Sequence, residues 1–363
     1  MGVERHFPPA VTRHAYWLAA LMPLLLPAAW SLRGLPGLDW AFAWLPLVAL
    51  YVVLPVADYL LGRDTRNPDA GADGPYPRTV IPVMAALVHL AVLAWALSVI
   101  GRFPGAFTWP ALLGWIVSLG DISSVVGINV AHELIHRKAR ALRGLGGLLL
   151  SCVWYPGFKL EHVRWHHLHV ATRHDPSSAA RGANIYRHVP RAMLLNTARA
   201  WRLGHERARR RGRPLPWLSH EVAAGFAVSA ALTLCAAAAW GALAGWVMLL
   251  QGGVAAAQLE VINFIEHYGL RRQRRANGSY EPPGPGHSWD SDYWLSNVIL
   301  LQLPRHADHH TRPSQPFTRL DTRADAPLLP LGYAALVNIA LVPPLWRRLV
   351  HPRLGDTGTA RVG

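Results

Sequence analysis

Cysteine and charge are both scarce in this chain. Only two of its 363 residues are cysteines, and Cys152 and Cys235 lie too far apart in sequence to form a CxxC motif. This absence excludes a disulfide scaffold, a zinc ribbon and a fused CxxC-type iron site. Charged residues make up 16% of the chain, against roughly 25% in an ordinary soluble domain, while 52% are apolar. With 16 tryptophans and long apolar runs, the composition also excludes disorder and indicates an integral membrane protein.

Lysine is nearly absent as well, so arginine carries the basic charge. The chain has 36 lysines and arginines against 21 acids, a formal net charge of +15, yet Lys138 and Lys159 are its only lysines. Such a balance can indicate nucleic-acid binding, but the arginines flank apolar runs and no nucleic-acid motif accompanies them. We interpret them as a positive cytoplasmic face that contacts membrane lipid headgroups or an acidic protein partner.

Apolar runs predict about six transmembrane helices, because a spanning helix needs about 20 residues. The predicted spans are residues 15–32, 40–61, 80–100 and 109–131, and two helices joined by a hairpin near Gly241 within residues 222–261. The first run follows Arg5 and Arg13 as a signal peptide would, but no small-residue cleavage pattern follows it. The sequence therefore predicts an all-α, polytopic membrane protein.

The distribution of arginine predicts the orientation of these helices. The short loops at residues 33–39 and 101–108 carry one arginine each, whereas residues 63–78, residues 137–213 and the tail after residue 269 carry several or many. The positive-inside rule places the N-terminus and the arginine-rich segments in the cytoplasm. The chain then has four parts: helices one to four at residues 1–131, a cytoplasmic insertion at 132–221, helices five and six at 222–265, and a cytoplasmic tail at 266–363.

Two further apolar stretches are not predicted to span. Residues 144–154 are too short to cross a bilayer, and residues 327–346 are interrupted by Pro330, Pro343 and Pro344. We predict that both are packed or interfacial. A seventh span at residues 327–346 is the alternative.

Nine of the 19 histidines fall in four clusters, all on the predicted cytoplasmic side. They are His132 and His136; His162, His166 and His167; His306, His309 and His310; and His267. At the i,i+4 spacing that recurs in the first three clusters, two imidazoles share one face of an α-helix. Imidazole suits iron, copper and zinc. Nine ligands are too many for one ion but enough for two, so the sequence predicts a two-metal centre.

Other polar residues near these clusters have candidate roles. Each cluster carries an acid that could accept the second N–H of an imidazole or bind metal directly: Glu133, Glu161, Glu266 and Asp308. Outside the clusters, His169, His174 and His188 could be outer groups of the centre. His89 lies inside the third predicted span, where an ionisable group is a functional candidate. We interpret it instead as a histidine with satisfied hydrogen bonds in the bundle interior.

The motifs, in this order, resemble those of the membrane alkane monooxygenases, which are related to the xylene monooxygenases within the fatty-acid desaturase and hydroxylase superfamily. The first three clusters resemble that family's three histidine boxes, and residues 263–270, NFIEHYGL, resemble its additional NYxEHYGL box. The resemblance extends over about residues 40–315. Trp165 departs from it, since these enzymes usually carry glycine there. We expect a bulky tryptophan beside two ligands to reshape the substrate end of the site.

The resemblance implies an O2-dependent hydroxylase with a non-haem di-iron centre, held mainly by the nine histidines. The implied reaction is hydroxylation of an unactivated C–H bond, most simply at the terminal carbon of an alkane that enters an apolar channel from the membrane. It further implies a rubredoxin or ferredoxin-type electron donor with its reductase. The implied location is the bacterial inner membrane, with the active site and both termini in the cytoplasm.

Several alternatives stay open at this point. Hydroxylation of alkylaromatic, terpene or fatty acyl chains needs only a different pocket. A lipid desaturase would use similar boxes, although the EHYGL segment speaks against it. Residues 132–136 also fit the HExxH motif of a membrane zinc metalloprotease, which would leave about six histidines unexplained. A non-enzymatic metal carrier should have polar groups throughout the membrane midplane.

Overall fold

The computed structural model describes residues 3–68 and 78–355. Within these residues the regular structure is helical, and the β-pairing recorded there consists of isolated bridges. Residues 69–77 of the arginine-bearing loop and residues 356–363 of the tail lie outside the described residues. The prediction of an all-α, polytopic membrane protein is confirmed.

Five of the described helices are long and apolar enough to cross a membrane. They are α1 (Ala41–Leu61), α2 (Val80–Arg102), α3 (Trp109–Ile135), α4 (Glu221–Trp240) and α5 (Ala242–His267). These helices coincide with the second to sixth predicted spans. Only Gly241 separates α4 from α5, and its φ of +92° is a left-handed conformation that glycine adopts without strain. The predicted hairpin is therefore present.

The first predicted span is helical but broken into short pieces. Residues Pro9–Ala15, Leu18–Leu21, Met22–Leu24 and Leu25–Ser31 form consecutive helical segments, and the third of these is a 3₁₀ turn. Pro23 and Pro27 lack the backbone N–H that an uninterrupted α-helix needs. This segment is consequently not one of the five long helices.

Further helices, most of them shorter, form a cap over one end of the bundle. They are α6 (Arg140–Cys152), α7 (Phe158–Glu161), α8 (Ile185–Arg210), α9 (Trp294–Ile299), α10 (His306–Thr311), α11 (Tyr333–Ala340) and α12 (Pro343–Val350). Residues 144–154 fall mostly in α6, which packs on the end of α3. Residues 327–346 form α11 and the start of α12, which bury Leu336 and Trp346 against Phe264 and Tyr268. Both stretches are packed, as the sequence predicted.

Three segments of the helical structure are π-helical. Ala49–Val53 lies within α1, Ser123–Ile128 lies within α3, and His162–His166 continues α7. A π-turn closes hydrogen bonds from i to i+5 and rotates the following side chains relative to an α-helix. All three segments contribute residues to the candidate site below.

Candidate metal centre

The nine predicted histidines converge into two adjacent groups at the capped end of the bundle. The five-histidine group contains His132, His136, His162, His167 and His309, and the four-histidine group contains His166, His267, His306 and His310. Within each group, one nitrogen from every ring lies within 4.8 Å of the others. The structure therefore brings together every histidine that the four clusters singled out.

The last turn of α3 positions the first two histidines. His132 lies in that turn, and His136 follows directly after the helix. Their ring centroids are 5.1 Å apart, as expected for side chains one turn apart on the same face. Both belong to the five-histidine group.

The π-helical segment separates the histidines of the second cluster. His162 and His167, five residues apart, have their Nε2 atoms 3.0 Å from one another in the five-histidine group. His166 faces the four-histidine group instead. His162 and His166 stack with ring centroids 5.1 Å apart, as their i,i+4 spacing predicts, but the π-turn aligns His162 with His167, so His166 belongs to the other group.

The third cluster contributes to both groups from one short helix. In α10, His306 and His310 are one turn apart with Nε2 atoms 3.0 Å from each other, and His306 Nε2 is 3.2 Å from His267 Nε2. His309 projects from another face of α10, with its Nε2 atom 3.2 Å from His167 Nε2. The single histidine at the end of α5 thus joins the last box in the four-histidine group.

The lowered pKa values of these imidazole rings favour metal binding. Burial, together with the nearby Arg137 and His166, lowers the pKa of His136 to about 3. Burial and the neighbouring histidines also lower the pKa of His162, His167 and His309 well below the usual value. Neutral imidazole is the form that binds metal.

Several ring nitrogens in the two groups have no hydrogen-bond partner among the described residues. They include the buried Nε2 atoms of His132, His136 and His166. A buried nitrogen without a partner is costly, and a bound cation would remove that cost. The donor set therefore fits two metal ions, one in each group.

Asp175 supports this centre, although it is not among the predicted acids. Its Oδ2 atom lies 3.0 Å from His166 Nδ1 and accepts a hydrogen bond from Ser178 at 2.6 Å. Burial opposes ionisation, but the proximity of His166 and these hydrogen bonds lower the pKa of Asp175 to about 2. A carboxylate there accepts the Nδ1–H of His166 and leaves Nε2 free for a metal. Proximity in sequence could not find Asp175, because it lies outside the four clusters.

The four predicted acids differ in what they contact. Glu266 Oε2 lies 3.3 Å from His306 Nε2, and Glu266 Oε1 accepts a hydrogen bond from Tyr333 at 3.1 Å. Among the described residues, no hydrogen bond or ion pair joins the other three acids, Glu133, Glu161 and Asp308, to any of the nine histidines.

The partners of Glu133 also bear on the zinc protease alternative. Glu133 forms an ion pair with Arg137 at 3.2 Å, and Arg137 in turn donates to the backbone carbonyls of Ser314 and Gln315. An HExxH protease needs this glutamate as a base beside the metal-bound water. The ion pair gives Glu133 a structural role, since it ties the end of α3 to the segment after α10.

Trp165 lies away from the substrate end, contrary to the sequence-based expectation. Its ring stacks on His169 at 3.8 Å, the Arg199 guanidinium lies 3.9 Å over it, and its indole N–H donates to the His174 carbonyl. His169 and His174 therefore pack around Trp165. His188 packs against Phe264.

His89 also differs from its interpretation. It is 1% exposed within α2, and neither of its ring nitrogens has a hydrogen-bond partner among the described residues. Its ring packs against Gly127 of the π-helical segment of α3, where an added Cβ would come within 2.8 Å of His89 Nε2. The side chain is therefore interior, as expected, but its hydrogen bonds are not satisfied.

A narrow, mostly apolar cavity of about 70 Å³ leads to the metal centre. His132, His162 and His306 line it on the side of the two groups, and Phe158 stacks on His162 beside them. The other lining residues come mainly from α1, α3, α5, α9 and α11, and include Leu50, Tyr51, Leu54, Ser124, Val125, Ile128, Asn129, Gln258, Leu259, Ile262, Asn263, Ile299, Leu300 and Val337. The cavity thus connects the membrane-spanning helices with the histidines.

Sequence comparisons identify relatives along almost the whole chain. The fatty acid desaturase family matches residues 106–340. Alkane 1-monooxygenase 1 of Pseudomonas aeruginosa is 38% identical over 352 residues, which cover 95% of this chain and 91% of the relative. Alkane 1-monooxygenase 2 of Alcanivorax borkumensis is 36% identical, covering 94% and 89%. The xylene/toluene monooxygenase hydroxylase component XylM of Pseudomonas putida is 28% identical, covering 89% and 86%.

Proposed function

The chain belongs to the alkane 1-monooxygenase family within the fatty acid desaturase superfamily, and from this membership we propose that it hydroxylates the terminal carbon of a membrane-dissolved alkane with a di-iron centre, O2 and two external electrons. It is an integral membrane monooxygenase. The net reaction is RH + O2 + 2 e⁻ + 2 H⁺ → ROH + H2O.

One observation carries the proposal. Two groups of buried and half-buried imidazoles meet an apolar cavity whose other lining residues come largely from membrane-spanning helices. A nonpolar substrate partitions into the bilayer, so a cavity of this kind can receive it without passage through water. The all-nitrogen donor sets are compatible with iron, and bound iron would supply the O2 chemistry that breaks a strong C–H bond.

The residues of the chain bind the substrate and orient the histidines. A narrow cavity admits an extended chain end-on, so its terminal carbon reaches the histidines first and geometry favours terminal hydroxylation. Apolar walls such as Leu259 and Ile262 exclude water from the site. Asp175 fixes His166 through Nδ1, and the His287 carbonyl lies 3.3 Å from His267 Nδ1 in the same role.

Electrons must reach the centre from another protein, since the chain has no redox cysteine motif. We propose a small acidic carrier of the rubredoxin or ferredoxin type, with its reductase. Arg164, Arg173 and Arg274 are exposed on the histidine-bearing cap, and Arg272 links the two backbone segments that carry them through its hydrogen bond to the Leu168 carbonyl. This basic surface would attract an acidic partner. By the positive-inside rule, we place the cap and both termini in the cytoplasm of a bacterial inner membrane.

Metal analysis and turnover together test the proposal. The purified protein is analysed for iron and zinc, reconstituted with ferrous iron, and supplied with octane, O2 and a reduced carrier with its reductase. We expect iron to bind to both histidine groups, and 1-octanol to form. A protein that binds zinc, does not take up iron and leaves octane unchanged would contradict the proposal.

A further inference from the structure

Polar side chains line part of the cavity within the membrane-spanning helices. Ser124 and Asn129 come from α3, and Gln258 and Asn263 come from α5. A cavity that served only plain hydrocarbon would gain nothing from them, and polar groups inside a membrane are costly. They therefore point to a polar ligand atom in the cavity.

One cluster of polar side chains on the cavity wall joins three membrane-spanning helices through hydrogen bonds. Tyr51 in α1 donates a hydrogen bond to Asp121 Oδ1 in α3 at 3.1 Å, and it accepts one from Gln258 Nε2 in α5 at 2.8 Å. Tyr51 and Gln258 both line the cavity, whereas Asp121 is buried behind them. We call these three residues the polar triad.

The triad leaves one strong acceptor for a ligand. Asp121 and Tyr51 are engaged with each other, and the hydrogen bond recorded for Gln258 among the described residues uses its Nε2 atom, so its Oε1 atom is available as an acceptor. Nearer the histidines, Asn129 is 6% exposed and its Nδ2 atom has no hydrogen-bond partner among the described residues. A hydrogen bond that only held the helices together would not leave these polar atoms available along a cavity wall.

Ser118 provides the comparison with a purely structural hydrogen bond. Its hydroxyl donates to the Ala43 carbonyl at 2.7 Å, so it also joins α3 to α1. Ser118 is fully buried and does not line the cavity. Interhelical bonding between these helices is thus achieved without placing polar groups in the substrate path.

The helical rise sets the distance from the triad to the metal centre. Gln258 precedes His267 by nine residues in α5, and Asp121 precedes His132 by eleven residues in α3. At about 1.5 Å per residue, these separations are roughly 14–16 Å along the helix axes. The hydrogen bond at Gln258 takes up about 3 Å of this distance. An extended chain advances about 1.2 Å per bond, so about ten bonds cover the rest, from the hydroxyl oxygen to the carbon at the histidines.

We propose that the preferred substrate is a linear chain that already carries a hydroxyl group about ten bonds from the carbon that reacts. Its hydroxyl donates to Gln258 Oε1, while its terminal methyl group lies at the histidines. The reaction is HO–R–H + O2 + 2 e⁻ + 2 H⁺ → HO–R–OH + H2O, so an alcohol becomes a diol. This inference rests on the proposed function, because it names the substrate class of the same site.

Competition between two shape-matched substrates tests it. The iron-loaded protein, with its electron donor, receives equal concentrations of 1-decanol and undecane, and the yields of 1,10-decanediol and 1-undecanol are measured at low conversion. We expect the diol to predominate. Gln258→Met removes the amide but keeps the length of the side chain, so it should lower the diol-to-undecanol ratio about tenfold, the size of effect expected for one lost hydrogen bond. Ser118→Ala is the matched control and should keep the wild-type ratio.

The outcomes separate the two proposals. Conversion of undecane with no preference for 1-decanol, or equal ratios in Gln258→Met and Ser118→Ala, would overturn the inference and leave the proposed function standing. Conversion of neither substrate would contradict the proposed function and the inference with it. If Gln258→Met fails to insert, the wild-type ratio and Tyr51→Phe, which removes the partner of the amide, decide the question.

Discussion

The histidine cap and the membrane cavity differ in the kinds of residue that form them. Four separate segments of the chain supply the cap with nine side chains of one type, and these form two tight groups. The cavity is lined by many residues of mixed type, mostly apolar. Loss of a single histidine should therefore damage the cap, whereas the contribution of the cavity wall is shared among many side chains. The chemistry should depend on a few cap residues, and the choice of substrate on the cavity.

The largest effect should follow removal of a histidine from the smaller group. His310→Ala leaves three imidazoles there, so we expect the iron content per chain to fall by about half and turnover to be abolished. Elemental analysis and product assays measure both. His174→Ala is the control, because His174 lies outside both groups. Full iron content in His310→Ala would remove that residue from the ligand set.

A smaller loss of metal affinity or activity should follow a substitution at Asp175, which contacts one of the nine histidines. Asp175→Asn keeps the shape of the side chain but removes the charge that fixes His166, so metal affinity or activity should fall about 10- to 100-fold. Metal release to a chelator and the turnover rate report the change. Asp325→Asn, at an exposed acid that pairs with Arg323, should leave both unaltered. Equal effects of the two variants would show that the contact with His166 is unimportant.

Changes in the cavity should alter the choice of substrate and leave the metal in place. Leu259→Trp narrows the cavity, so we expect turnover of long alkanes to fall more than turnover of short ones while iron content stays constant. Leu250→Trp is matched to it, because Leu250 lies on the same helix but is 49% exposed on the outer surface. A uniform loss of turnover at every chain length would argue against selection by the cavity.

The smallest effect is expected at Trp165. Trp165→Gly removes a ring held between His169 and Arg199, which should cost about 1 kcal/mol of stability. Because Trp165 does not line the cavity, the product profile should not change. Thermal unfolding and product chromatography measure the two quantities. A shift in preferred chain length would restore the expectation drawn from the sequence.

The sequence predicted the membrane-spanning helices and the converging histidines well, because both are indicated by residues that lie close together in sequence. Apolar runs indicated the membrane-spanning helices, and short histidine spacings indicated the nine histidines that converge in the structure. The division into two groups was not predictable, since the π-turn at His162–His166 leaves no clear mark in the sequence. Asp175 was missed because its contact with His166 depends on a loop. The polar triad was also missed, because Tyr51, Asp121 and Gln258 meet only when three helices pack.

The π-turn at His162–His166 has a consequence for how this chain tolerates genetic change. Substituting exposed Arg164 preserves the number of residues between the histidines, whereas deleting it would allow the segment to relax to an ordinary α-helix. His162 and His167 would then be four residues apart, and an α-helix aligns residues at that spacing, so the two rings would still face one another. A single-residue deletion between these histidines should therefore be tolerated better than a single-residue insertion there.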